Sequence, residues 1–263
     1  EGILFQPKGK VVARMIAIPD SDELTRELIN RDPTLGSWSP DPTDWAAAGV
    51  QVLIPVLLGE SDTWSGNPRV AMTDQSHREW VYRQSFEIGR HVIGYEVQKI
   101  QAALDWFERQ EGDLPVAVTG YRRGGPIALY AAALDRRIGV TVVHGYFGPR
   151  EGLYSEPVDR NLFGLLREIG DAEIASLISP RELMVFSEAE NLTPVSKPQS
   201  QGRKRTRAPG EWRPPIGAGV RREVERARAL ISEKGRSIGS ILHLGSGAGE
   251  ARTADARALA ALS

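Results

Sequence analysis

Between Leu114 and Leu134 the chain passes from a short β-branched run, Leu114 to Thr119, through Gly120-Tyr121-Arg122-Arg123-Gly124-Gly125 into an apolar, alanine-rich stretch that begins at Pro126. Strand, tight turn and buried helix follow one another without a linker. Glycines at both ends of the turn let backbones approach closely, so the corner lifts one side chain, that of Arg122, over the sheet edge. A phosphate loop needs Gly-x4-Gly-Lys-Ser/Thr and a dinucleotide fingerprint needs Gly-x-Gly-x-x-Gly; the turn has neither spacing.

The rest of the chain extends this unit. Val11 to Ile18 and Val50 to Leu58 are apolar runs of buried-strand type, the second entered through a short helix at Trp45 to Gly49. Ile93, Val97, Ile100, Leu104 and Phe107 recur at helical steps within Arg78 to Glu108, where Gly89 and Gly94 are candidate breaks. Strands are expected at Gly139 to Phe147, Leu183 to Phe186 and Ser237 to Leu244. Helices are expected at Asn161 to Ile169, Asp171 to Leu177, Val220 to Glu233 and near Thr253 to Leu262. Strands alternating with helices require a mostly parallel sheet covered on both faces, an α/β architecture of three layers. Alternation alone leaves Rossmann, flavodoxin-like and hydrolase topologies open. Two stretches stand apart: Gly59 to Gln75 reads as a long irregular loop, and residues 193–219, rich in Pro, Gly, Ser, Gln and Arg, as a mobile surface insertion.

At 263 residues one domain spanning 1–263 is expected. Lys plus Arg total 33 against 34 for Asp plus Glu, so no net field draws the chain to nucleic acid or anionic lipid. No apolar run approaches the roughly 20 residues that cross a bilayer. The absence of cysteine removes disulfides, thiolate catalysis and cysteine-based zinc sites, and is silent on compartment. His77, His91, His144 and His243 show no metal-ligand spacing, so neither metal nor cofactor is expected. The start at Glu1, with no Met and no signal pattern, leads us to expect flanking domains in a longer chain.

Several stretches resemble the α/β-hydrolase superfamily. WAAAGVQVLIP (45–55) is similar to the helix and strand that open many of its members, and VQKIQAALDWF (97–107) to the helix before their nucleophile strand. DTWSGNPR, HREWVYRQ, GYEVQKI, GYFGPRE and FGLLREIGDAEIASLISPR, all between Asp62 and Arg181, are similar to stretches in bacterial proteins of the dienelactone hydrolase and acetyl xylan esterase branch. The resemblance implies a three-layer α/β-hydrolase fold, and it makes the glycine-rich turn a nucleophile elbow. In active members its central residue is a serine, activated by a histidine that an acid orients. Here that residue is Arg122, whose guanidinium stays protonated and is no nucleophile. The acid belongs just after the strand 183–186, where Glu188 or Glu190 could stand. The histidine belongs in the loop 245–250, which contains none; His243 lies within the strand itself.

An impaired hydrolase is therefore expected, with a residually active ester hydrolase and a non-catalytic binding or structural domain as alternatives. Near a helix N-terminus Arg122 needs an anionic partner. Glu188, Glu190 or Asp20 would supply it within the chain. A carboxylate or uronic acid bound by Arg122 and the turn's N–H groups would supply it from outside, with Asp20, Tyr121, Arg122 and His144 lining the site. An ester or acidic carbohydrate is the ligand class that this implies. His144, at a strand end, reads as a core histidine or a pocket wall, and Asp62, Trp64, Asn67 and Arg69 as sugar contacts or packing. Arg203 to Arg207 reads as a solvated basic run. Ser65, Ser76, Ser85, Ser187 and Ser246 lack the strained corner that exposes a catalytic oxygen.

Overall fold

The computed structural model describes residues 2–20, 42–60, 73–187, 206–233 and 241–244, with only the backbone for 242–244. Among the described residues seven strands form one sheet: β1 (Gly2–Phe5), β2 (Ala13–Ile18), β3 (Val50–Pro55), β4 (Val116–Tyr121), β5 (Ile138–His144), β6 (Glu182–Phe186) and β7 (Ile241–Leu244). Their spatial order is β1-β3-β2-β4-β5-β6-β7. All neighbours are parallel except β1, which pairs antiparallel with β3 along the edge. Short, apolar and without a turn signal, β1 carries no periodicity that the sequence could show.

The crossovers are the helices α1 (Pro42–Ala47), α2 (His77–Glu87), α3 (Val92–Glu108), α4 (Gly124–Leu134), the single turn α5 (Leu165–Glu168), α6 (Asp171–Ile178) and α7 (Gly217–Glu233). Between α2 and α3, Gly89 adopts φ +69°, whereas Gly94 stays helical. Of the two candidate breaks, only Gly89 takes the left-handed conformation that ends a helix.

Each central strand alternates between two apolar layers. Ile16, Ile18 and Val118 face a core shared with Val97, Ile100, Leu104 and Phe107 of α3 and with α4, α6 and α7. Met15, Ala17 and Ala117 face the second layer, where Trp45 of α1 packs. Period-two alternation inside near-continuous apolar strands marks a sheet buried on both sides.

Of the expected insertion 193–219, residues 206–219 are described. Their backbone is tied down: the Thr206 and Arg207 N–H groups donate to Asp74 Oδ1 at 2.7 and 3.0 Å, and that of Ala208 to Glu79 Oε1 at 2.9 Å. Trp212 is buried, and α7 already begins at Gly217. Composition reads local propensity only; these anchors are carboxylates more than 120 residues earlier in the chain. Residues 193–205 lie outside the described residues, as do the loop residues Asp62, Trp64, Asn67 and Arg69 and the last expected helix.

Candidate functional site

The corner between β4 and α4 is built by close approach. A Cβ on Gly120 would lie 2.2 Å from the Gly124 carbonyl oxygen, one on Gly124 2.4 Å from the Ile18 oxygen, and one on Gly125 2.5 Å from Tyr146 Cβ. Two of these three neighbours are backbone and cannot give way. Gly124→Ala is expected to cost about 1–3 kcal/mol through overpacking, read as a lower urea midpoint at unchanged m-value. Unchanged stability would remove this account of the corner.

Arg122 sits at the apex with φ +48°, the left-handed region that a non-glycine residue enters only under constraint. The constraint is visible. Its N–H donates to the His144 carbonyl at 2.8 Å, and its own carbonyl accepts from the Gly125 N–H at 3.0 Å. This is a strained strand–turn–helix corner with a guanidinium at its apex.

Sheet register delivers Asp20 to the same point. Ile18 of β2 is paired with Gly120 of β4, so two residues further along Asp20 reaches the level of Arg122. Its Oδ1 accepts the Arg123 backbone N–H at 3.1 Å, and its Oδ2 lies 3.7 Å from Arg122 Nη1. The Arg122 guanidinium also lies over two rings, 5.2 Å from the centroid of Tyr121 and 5.5 Å from that of Trp212. Of the three carboxylates expected to face Arg122, Asp20 does so. Glu188 and Glu190 lie outside the described residues.

His144 ends β5 with its ring stacked on Phe186, centroids 4.6 Å apart. Burial pushes its imidazole down to about 4, so it is neutral at physiological pH. Its touch on the elbow is through its carbonyl, and its ring lies 6.0 Å from that of Tyr121. Ser76 caps α2, accepting from the Glu79 N–H, and Ser85 donates to the Val81 carbonyl within that helix. Ser187 is buried directly after β6, while Ser65, Ser246 and the loop 245–250 lie outside the described residues.

Behind the turn stands a buried ion network. Arg78 forks onto Glu96 with both terminal nitrogens, Nη2 at 2.9 Å from Oε2, and its Nε donates to Asp159 at 2.6 Å. Glu60 joins Arg78 to Arg123 and, at 2.9 Å, to Arg207. The Arg123 head is thus held from behind while its N–H faces Asp20. Arg160 bonds Glu156 through Nε at 2.7 Å and lies 5.2 Å from the Trp212 ring centroid. Arg78 and Glu96 stand inside the stretches HREWVYRQ and GYEVQKI, and Arg123 inside the turn. Trp212 had no sequence signal, because it lies in the Pro- and Arg-rich stretch.

Chemically, the corner holds a permanent cation at its apex, and a carboxylate, that of Asp20, already accepts from the Arg123 N–H that follows it.

No family model and no curated protein matches this chain. Solved structures do. A protein from Bacteroides fragilis described as an acetyl xylan esterase superposes with TM-score 0.63 at 14% identity, over 92% of this chain and 62% of that one. A glucuronoyl esterase from Caldicellulosiruptor kristjansonii gives TM-score 0.55 at 13% identity, over 98% and 70%. One from Teredinibacter turnerae gives 0.55 at 12%, over 98% and 68%. The chain thus spans about three fifths of the first protein's length, and at these identities the likeness is one of fold. Strand order, parallel crossovers and the strained corner after β4 agree with it: this chain has the α/β-hydrolase fold shared by these esterases.

Proposed function

We propose that this chain is a non-hydrolytic member of its fold, whose elbow binds a ligand of the ester or acidic-carbohydrate class without cleaving it. One observation carries the reading: the apex residue is Arg122, and the Asp20 carboxylate occupies the adjoining Arg123 N–H. A guanidinium cannot attack a carbonyl, and no neighbouring base can make it do so. An ester carbonyl turning tetrahedral would also meet the Asp20 charge where a donor is needed. Loss of one oxyanion donor alone lowers kcat by roughly 10²–10³. The ligand class comes from the names of the fold's acetyl xylan and glucuronoyl esterases and from the resemblance to the dienelactone hydrolase branch.

The test is hydrolysis of p-nitrophenyl acetate by the wild-type chain and by Arg122→Ser, together with labelling by a fluorophosphonate. Neither protein is expected to exceed buffer, since restoring the hydroxyl leaves the Arg123 N–H covered. Wild-type turnover that the fluorophosphonate abolishes would end the proposal.

A further inference from the structure

We infer that residues 206–216 form a strap closed over the corner between β4 and α4, with Trp212 as its plug and the carboxylates of Asp74 and Glu79 as its latch, and that it opens and closes as one unit. The strap does not depend on whether the corner hydrolyses an ester.

Within 206–216 only Trp212 is buried; its neighbours are exposed or half-buried. A stretch with a single buried side chain is weakly held by packing, so its polar anchors decide where it lies. The latch is at its start, where Asp74 Oδ1 takes the N–H groups of both Thr206 and Arg207, and Glu79 Oε1 that of Ala208. The Asp74 carboxyl is held below its ordinary value, foremost by the Thr206 N–H, so these bonds belong to its ionised form. Asp74 is itself half-buried, and water competes for it. Further along, the Glu211 N–H donates to the Ser155 carbonyl at 3.0 Å. Between the two anchors Gly210 takes φ +144°, and a Cβ there would lie 2.6 Å from the Glu156 carbonyl oxygen. The strap is thus seated by close backbone contact that a side chain would prevent.

The Arg122 guanidinium carbon lies 5.5 Å from the Trp212 ring centroid, and that of Arg160 5.2 Å from it. The closed strap therefore shields one side of Arg122. Cation–π attraction holds the plug down. Against it, the indole Nε1 is buried and finds no acceptor among the described residues. A buried donor without a partner disfavours the closed position, and lifting gives that N–H to water. Solvent-reachable charge-assisted bonds on one side and an unmet donor on the other leave the strap poised between two positions.

Amide hydrogen exchange in the full chain tests the strap, followed residue by residue by NMR together with the Trp212 indole N–H, assigned with Trp212→Phe. In wild type the N–H groups of Thr206, Arg207, Ala208 and Glu211 and the indole are expected to exchange through one local opening, faster than β4 and insensitive to low urea. Asp74→Ala should speed them all by about tenfold and leave β4 unchanged. Gly210→Ala reaches the open position by another route, since its Cβ clashes only when the strap is seated, and should speed the same set. In both variants the Arg122 Nε–H resonance, assigned with Arg122→Lys, should move as the ring current of the indole is lost. Strap exchange at the rate of β4 in wild type and both variants would overturn the inference, as would an Asp74→Ala effect confined to Thr206 and Arg207. So would an Arg122 resonance that stays in place while the indole exchanges faster. Fluorophosphonate-sensitive turnover would remove the proposed function and leave the strap as it stands.

Discussion

Arg78→Met is expected to lower unfolding free energy by about 3–5 kcal/mol at pH 7, the usual effect of removing one partner from a buried ion pair. Arg78 is enclosed, and so are its acceptors: Glu96 is fully buried and Asp159 nearly so. Burial would neutralise the arginine, but Glu96 and then Asp159 outweigh it and hold the guanidinium well above its ordinary range. Methionine fills a similar volume and leaves two carboxylates in a low dielectric without their cation. For a chain of this size the change corresponds to a fall in Tm of about 10 °C. Pairing it with Glu96→Gln should recover part of the loss, because the orphaned charge goes with its partner.

The pH dependence has a definite sign. Asp159 is held down to about 2 against an ordinary 3.8: burial raises it, but the nearby Arg78 and Arg123 lower it further. Its folded pKa is depressed, so it stabilises the fold above pH 3.8, and that contribution is lost as pH falls toward 2. In Arg78→Met Asp159 loses the largest of these lowering influences and takes up its proton at milder acidity, so the deficit relative to wild type should shrink between pH 7 and pH 4. Urea unfolding at several pH values tests this. A deficit under about 1 kcal/mol at pH 7, the scale of an exposed pair, would mean that the network is not the keystone behind the elbow.

Asp171 should tilt the wild-type stability curve the other way. It opens α6 fully buried, accepting from the Tyr146 hydroxyl at 3.3 Å and the Gly148 N–H at 3.2 Å. Burial raises its carboxyl to about 7, against the lowering pull of Arg150 and of the Gly148 N–H. The folded pKa is raised, so between pH 3.8 and 7 the folded state holds a proton that the unfolded state has released. Stability then falls as pH rises through that window and levels off above it. The full shift corresponds to on the order of 2–4 kcal/mol. The lower end is favoured by a neighbouring cavity of about 20 Å³, lined by Tyr130, Tyr146, Arg150, Arg160 and Asp171, which has room for one water. Asp171→Asn cannot ionise and should flatten this part of the curve, whatever its absolute stability. The same slope in wild type and variant, measured by urea unfolding from pH 4 to pH 8, would assign the tilt to another group.

Much of the architecture was legible because it is written in local pattern. Buried strands appear as apolar runs, α3 as the recurrence from Ile93 to Phe107, and the corner as glycines flanking Tyr121-Arg122-Arg123. What escaped lacked a local pattern. β1 is four residues on an edge, without alternation. Trp212 sits among prolines and arginines, whose composition favours mobility when read alone. Arg78, Glu96 and Asp159 are charged positions in ordinary helical or polar surroundings, and only their meeting across 81 residues makes them a network.

The sequence by itself determined that a layered α/β sheet forms, that a glycine-framed corner follows its central strand, and that an arginine stands at the apex. Those properties depend on residues within a few positions of one another. Which carboxylate meets Arg122 was left open among Asp20, Glu188 and Glu190. The tertiary structure brought in Asp20, because parallel pairing of Ile18 with Gly120 carries the chain two residues further to the apex. It also decided that this carboxylate covers the Arg123 N–H, and that the Trp212 ring lies against both Arg122 and Arg160. Each of these is a contact between segments far apart in the chain, set by strand register and packing.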